Sequence, residues 1–391
     1  MKIFIINTDY LSFLRVLYRS NPGLSNCPYD EQMEVRNQSL FGSSDFYSYN
    51  FNLLGHMAID VHFNNYYLQS QWAKEGIKNQ IFQLKYKQFI HLAFNTRLGN
   101  SIRSRLFLSK FPLTPYLYTI LNAQIQSFSP DIILNQPMVE VPLHHLILNK
   151  SKKPLIVGQI ASALPKDEDL LGYDLLISSL PNMVSNFKKM GIDSYYSKLA
   201  FDARILEGML PVERDLPIVF IGNITSAHKN RVKLLEYLCQ KTEIQIWGSL
   251  HNLHKSSPIY GRYNGEAWGI DMYRILLRAK IAINIHIDLS ENYANNMRLF
   301  EATGCGAMLL TDDKDNISDL FELNKEIVTY STPEDCAIKI QKYLQRNDER
   351  EAIAKSGQMR TLCEHTYRKR TEELSEIFEH KLMEMRGRKT C

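Results

Sequence analysis

Short runs of apolar, β-prone residues recur along the chain with helix-length stretches between them, and this alternation constrains the fold more than any other feature. In the first half the runs are Lys2–Ile6, Ile59–Phe63, Asp131–Asn135, Leu155–Ile160 and Leu175–Ser179. In the second half they are Ile218–Ile221, Ile244–Trp247, Ile281–Ile287, Met308–Thr311 and Ile327–Tyr330. Several are continuously apolar, as parallel strands covered on both faces must be. Strands separated by helices are βαβ units, so open α/β sheets are expected. The pattern occurs twice. Its break falls at Phe201–Asp215, where FDARILEGMLPVERD mixes charges, a glycine and a proline. With 391 residues, at about 150 per domain, two domains are accommodated.

Composition narrows the class. Hydrophobic residues at 45% and charged residues at 23% are those of a globular protein and exclude disordered or fibrous content. The charge of +4 is too small to indicate a nucleic-acid partner. No run approaches the ~20 apolar residues that span a bilayer. The apolar run at the start of MKIFIINTDY is shorter than a secretory signal requires and reads as a strand. Six scattered cysteines without a CxxC pair point to a reducing, cytoplasmic setting. Asp312-Asp313 follows a strand, where a turn is the expected role, His144-His145 is a poor metal pair, and no metal site is expected.

The stretch IAINIHIDLSENYANNMRLFEATGCGAMLLTD, Ile281–Asp312, reads strand, polar loop, short helix, glycine turn, strand. A long polar loop at a strand end is where function concentrates. Asn295 and Asn296 are placed to cap a helix whose free N–H groups suit a phosphate. Arg298 in its first turn offers a fork of donors for a diphosphate. Glu301, one turn on, offers two oxygens to the paired hydroxyls of a ribose. Gly304, Cys305 and Gly306 are read as a backbone turn lying close to a ligand. A second cluster, IVFIGNITSAHKNR, places Gly222, Asn223, His228 and Arg231 around a phosphate-type loop, and Trp247 stands as an aromatic wall for a base. Taken singly, each of these residues has a bland reading as a cap, surface pair or turn. Together, at strand ends, they read as a nucleotide site.

The run NMRLFEATGCGAMLLTDDKDNISDLF, followed by EIVTY, PEDCAIKIQKYL and EHTYRKR, resembles the C-terminal domain of CgeB-like glycosyltransferases of the group 1 type, within the two-Rossmann-domain (GT-B) class. FIGN…HKNR and YDLLISSLPNMVSNFKKMGIDSYYSKLAFDARIL are similar to the same family, and FGSSDFYSYNFNLLGHMAIDVHFNNYYLQSQWAKE resembles its acceptor domain. The resemblance implies two Rossmann-like domains facing each other across a cleft, with a C-terminal helix crossing back to the N-terminal domain. The expected divisions are an acceptor-binding domain over 1–200, a linker over 201–215, a nucleotide-sugar domain over 216–370 and a terminal helix and tail over 371–391. It implies a metal-independent transferase that uses a UDP-, GDP- or TDP-sugar as substrate, needs no cofactor, and serves bacterial surface glycan synthesis with a glycan, lipid-linked or protein acceptor. Retaining relatives often carry two glutamates separated by seven residues, whereas nine residues separate Glu291 from Glu301 here. That departure leaves Asn295 or Asn296 as sugar-side candidates and keeps the stereochemical outcome open.

An inverting enzyme needs a base within reach of the acceptor hydroxyl. Asp9, just after the first strand, is the first candidate; Asp45, His56 and His286 are the others, each with a turn, capping or core role as its bland reading. From Gly76 to Pro130 there are seven basic residues and no acid, with aromatics interleaved. Such a stretch suits an anionic lipid acceptor or the inner face of a membrane, or is simply a solvated helix face. A sugar-nucleotide epimerase of similar shape and a non-catalytic sugar-binding scaffold are the alternative functions.

Overall fold

The computed structural model describes residues 1–76, 114–148, 153–162, 164, 170–209, 212–225, 228–286 and 292–387. The chain divides into two compact units. The first is Met1–Gln38, Gly55–Gln159 and Pro165–Asp174; the second is Ser39–Leu54, Ile160–Leu164 and Leu175–Cys391.

In the first unit, β1 (Lys2–Asn7), β2 (Met57–His62), β3 (Ile132–Asn135) and β4 (Leu155–Gln159) lie parallel in the order β2-β1-β3-β4. Ile3–Ile6, Ile132–Leu134 and Leu155–Val157 are fully buried, as continuous apolar runs require. The helices of this unit are α1 (Leu11–Ser20), α2 (Tyr29–Gln38), α4 (Tyr66–Gly76) and α5 (Thr114–Phe128); α3 (Phe46–Leu53) lies between them in sequence but belongs to the second unit.

The second unit opens with β5 (Leu175–Ser178), α6 (Pro181–Lys189) and β6 (Ser194–Tyr196), a parallel pair around a helix. Its main sheet contains β7 (Leu216–Ile221), β9 (Gln245–Trp247), β11 (Ala279–Asn284), β12 (Met308–Asp312) and β13 (Val328–Tyr330), in the order β13-β12-β11-β7-β9. The pairings are parallel, with Ile281 opposite both Ile218 and Met308. A small parallel pair, β8 (Ile224–Thr225) with β10 (Leu250–His251), sits beside it. The helices are α7 (Lys229–Lys241), α8 (Ile270–Arg278), α9 (Arg298–Gly304), α10 (Pro333–Gln345), α11 (Asn347–Glu364) and α12 (Tyr367–Gly387). The Thr332 hydroxyl accepts from Asp335 N at 3.1 Å, the N-cap that the sequence announces ahead of Pro333.

Residues 39–54 join the second unit through backbone and aromatic contacts. Ile270 N donates to Ser39 O at 2.8 Å, and a Cβ on Gly269 would stand 2.0 Å from that same oxygen, so only glycine fits there. Phe46 lies against Tyr367 at 5.1 Å between ring centroids and Phe51 against Phe378 at 6.1 Å, which fixes α12 on α3.

Candidate functional site

The order β13-β12-β11-β7-β9 reverses direction at β7, which makes the gap between the carboxyl ends of β7 and β11 the switch point of the sheet. Ligands of open α/β sheets bind there because the loops on its two sides diverge and leave a crevice. Gly222 and Asn223 follow β7, Ile285 and His286 follow β11, and Asp312 ends β12. Side-chain amides and hydroxyls knit these ends together. Asn284 Nδ2 donates to Thr311 Oγ1 at 2.9 Å, Asn296 Nδ2 donates to Asn284 Oδ1 at 2.9 Å, and the Tyr330 hydroxyl donates to Asn284 O at 2.7 Å.

His286 stands on this edge with Asp312 as its partner. Asp312 Oδ1 accepts from His286 N at 3.0 Å and from the ring Nδ1 at 2.7 Å, while Lys314 Nζ lies 3.5 Å from Oδ2. Burial alone would raise the Asp312 carboxyl, but the hydrogen bonds from His286 and the nearby positive charge hold it below the usual carboxylate range. Sequence reasoning gave Asp312 a turn role and missed this pairing, since the two residues are 26 apart and meet only because β11 and β12 are neighbours.

The loop leading into α9 is anchored at several points. Ala294 exchanges backbone hydrogen bonds with the Asn316 amide, at 2.5 and 3.3 Å, and the Ser179 hydroxyl donates to Asn295 Oδ1 at 2.6 Å. Asn296 Oδ1 accepts from Arg298 N at 2.8 Å, so the expected cap is formed by Asn296. Arg298 Nη1 and Glu301 Oε2 are 2.9 Å apart, with side chains only 12% and 10% exposed. Nε and Nη1 of Arg298 nevertheless have no hydrogen-bond partner among the described residues. A guanidinium in that state is ready for an anion. Glu291 lies outside the described residues.

Several sequence-based site residues stand elsewhere. The seven-residue α9 carries the chain about 10 Å back across the sheet, so Gly304, Cys305 and Gly306 lie at the amino end of β12, away from the crevice. A Cβ on Gly304 would fall 2.6 Å from the Phe201 ring, and one on Gly306 (φ +71) would fall 2.8 Å from Arg214. Arg214 Nη2 donates to Cys305 O and Gln358 Nε2 to Gly304 O, both at 2.9 Å. Cys305 is fully buried, and burial pushes its thiol well above the usual range. These three residues serve packing, not a ligand.

Arg231 is likewise spent on structure. Its Nη1 donates to Asn223 O at 2.6 Å and its Nη2 to Ile285 O at 3.0 Å, which clamps the loops after β7 and β11 together. His228 holds the N-cap position of α7 and Asn223 is exposed beside it. Gly222 donates its N–H to Trp247 O at 3.0 Å, and a Cβ on Gly248 would stand 2.0 Å from Gly222 O. The half-buried Trp247 therefore meets the loop through its backbone. Asp313 Oδ1 accepts from Lys314 N at 3.1 Å, and Asp315 accepts from the Asn292 amide, so both carboxylates serve the loop.

In the first unit, Asp9 is buried against Arg36, whose Nη2 donates to Oδ1 at 2.5 Å and whose Nε donates to Oδ2 at 3.4 Å. His62 Nδ1 lies 3.5 Å from Oδ2. Burial would raise the Asp9 carboxyl, but the Arg36 guanidinium holds it below the usual range. A carboxylate so stabilised is a poor base, which corrects the expectation for Asp9. Asp45 is corrected too: Arg204 grips it at 2.9 and 3.3 Å while bonding Asp202. His56 precedes β2 at the amino edge of its sheet, next to the Met1 amine at 3.5 Å. Lys78, Lys85, Lys87, Arg97, Arg103, Arg105 and Lys110 lie outside the described residues, as does the 388–391 tail.

His62 has a consequence for acid stability. Complete burial, aided by Arg36, pushes its pKa from 6.5 down to about 3. The unfolded chain therefore binds a proton that the folded chain refuses between those values, and stability falls as pH drops from about 6.5 towards 3. Urea melts of the first unit are expected to show this slope in the wild type and a flatter one in His62→Phe. An unchanged slope would assign the acid sensitivity elsewhere.

No curated protein matches the chain in sequence. Residues 230–376 match a family model described as glycosyl transferase-like. Among solved structures, a glycosyltransferase from Rickettsia africae ESF-5 is 13% identical with a TM-score of 0.54, covering 97% of this chain and 98% of that one. Anabaena HepE, solved with UDP-glucose, is 12% identical with a TM-score of 0.55, covering 97% and 100%. Sucrose-phosphate synthase from Thermosynechococcus elongatus is 11% identical with a TM-score of 0.51, covering 70% and 80%. Among the described residues, no helix is long and apolar enough to cross a membrane, and no cluster of three or more His, Cys, Asp or Glu residues is placed to hold a metal. The second unit therefore carries a glycosyl transferase-like sequence pattern over residues 230–376, and the parallel α/β sheets of the two units have the fold seen in GT-B glycosyltransferases.

Proposed function

We propose that the chain moves a sugar from a nucleoside diphosphate sugar to a hydroxyl of a glycan, lipid-linked or protein acceptor in bacterial surface glycan synthesis. The observation that carries this reading is the buried Arg298–Glu301 pair, whose guanidinium keeps Nε without a partner among the described residues beside the switch point of the second sheet. In the reading, Arg298 meets the diphosphate and offsets the charge that develops on it as the sugar departs. Glu301 accepts from the ribose hydroxyls, and Asn295 and Asn296 form the sugar side. HepE was solved with UDP-glucose and with UDP, which makes uridine donors the first probes.

Thermal shift with UDP-glucose, GDP-mannose, dTDP-glucose and CMP-sialic acid tests the donor class. A cognate donor at a hundredfold excess over its Kd adds about 2.7 kcal/mol of apparent stability. No shift with any of them would sink the reading. Because side chains and not bound ions are assigned to the diphosphate, transfer to the acceptor is expected to survive EDTA. Complete loss that Mg²⁺ or Mn²⁺ restores would show that a metal holds it instead.

A further inference from the structure

At the carboxyl edge of β11 the His286 side chain is 0% exposed, and only one of its ring nitrogens is in use. Asp312 Oδ1 accepts from both the backbone N–H and ring Nδ1 of His286. A carboxylate has no proton to give, so Nδ1 carries the hydrogen, and the neutral ring then presents a lone pair at Nε2. Nε2 has no hydrogen-bond partner among the described residues. A buried acceptor left without a donor is destabilising. A hydrogen bond that holds the ring at Nδ1, beside a second from the backbone N–H of the same residue, leaves the other nitrogen idle, which is the arrangement of a site prepared for a partner from outside the chain.

The lone pair selects the chemistry of that partner. Phosphate oxygens are acceptors near neutral pH and would face Nε2 acceptor to acceptor, whereas a hydroxyl donates. The ribose hydroxyls are assigned to Glu301. The transferred sugar supplies others, and it is the next group along the donor from the diphosphate. His286 and Arg298 belong to adjoining segments: Asn284, two residues before His286, is hydrogen-bonded to Asn296, two residues before Arg298. The ring and the guanidinium therefore share one edge of the sheet.

We propose that His286, held by Asp312, accepts a hydrogen bond from a hydroxyl of the transferred sugar and so selects which sugar the protein uses. This rests on the donor-site reading above. His286 touches the sugar; Asp312 is a positioning residue that fixes the tautomer and the orientation of the ring.

The experiment titrates wild type, His286→Phe, His286→Gln and Asp312→Asn with UDP, UDP-glucose and the monodeoxy analogues of UDP-glucose, and with the matching GDP and GDP-mannose series. Wild type is expected to bind one deoxy analogue about tenfold or more weakly than its parent donor. His286→Phe keeps the ring volume without the acceptor, and is expected to hold UDP or GDP within about twofold of wild type while losing that discrimination. Asp312→Asn should lose most of it, since the ring is then free to take the other tautomer. His286→Gln, with an amide oxygen as acceptor, should retain part, and it carries the test if His286→Phe melts far below wild type. The proposal is overturned if His286→Phe keeps the full penalty against that analogue. It is overturned equally if the nucleotide and the sugar nucleotide weaken by one common factor, which would make the ring a structural prop. Failure of wild type to bind any of these nucleotides is a distinct result that removes the donor-site reading and this proposal with it.

Discussion

Arg36→Met is expected to lower the stability of the first unit by about 3–5 kcal/mol near neutral pH, because it strands a buried carboxylate. The Asp9 and Arg36 side chains are 1% and 2% exposed, so water cannot replace the lost partner. The pH dependence should change sign. In the wild type the Asp9 carboxyl is held below its ordinary value of 3.8; its contribution is present above that value and is lost as pH falls through the folded value. In Arg36→Met the desolvation remains and the cation is gone, which raises the folded pKa above the unfolded one. The variant should then gain stability as pH falls from neutral towards the carboxylate range. Trp72 lies in α4 of the first unit, and Trp247 and Trp268 in the second, so Trp72 fluorescence in a Trp247→Phe, Trp268→Phe background reads the first unit alone. Adding Asp9→Asn to Arg36→Met should recover much of the loss. If Arg36→Met melts like wild type across the pH range, the pair carries no weight in the fold.

Glu301→Ala should weaken nucleotide binding by tens-fold or more, since hydrogen bonds to a charged group contribute about 1.5–3 kcal/mol each. The same change removes the counterion of Arg298, so a fall in melting temperature is expected alongside it. Glu301→Gln separates the two effects, because it keeps one acceptor oxygen and the side-chain volume; its affinity should lie between those of Ala and wild type. The ribose assignment is read from 2′-deoxy-UDP against UDP. Wild type should discriminate between them and Glu301→Ala should not. Nucleotide affinity in Glu301→Ala equal to wild type would leave Glu301 as a structural partner of Arg298 only.

Local sequence announces what depends on local physics. Each of the ten apolar runs coincides with a strand, because a continuous run buried on both faces has few other fates. The strands that escaped notice, β6, β8 and β10, have two or three residues each and no hydrophobic signature. The Asn296 cap, the Arg298–Glu301 spacing and the Thr332 cap were readable because each is fixed within a single helical turn. Gly304 and Gly306 misled for the complementary reason. A glycine shows that space is short but not what fills it, and here Phe201 and Arg214 do.

The sequence by itself therefore determined the α/β class, the repeated βαβ pattern and the stretch from Ile281 to Asp312 that holds the donor-site candidates. Only the tertiary structure decided which of the candidate residues along the chain have a free hand. Asp9 is taken by Arg36, Asp45 by Arg204 and Arg231 by two carbonyls, while His286 gains Asp312 and keeps Nε2 open. Each of these pairings joins residues far apart in the chain. Their energy comes from burial and strand adjacency, quantities that exist only once the sheet has formed.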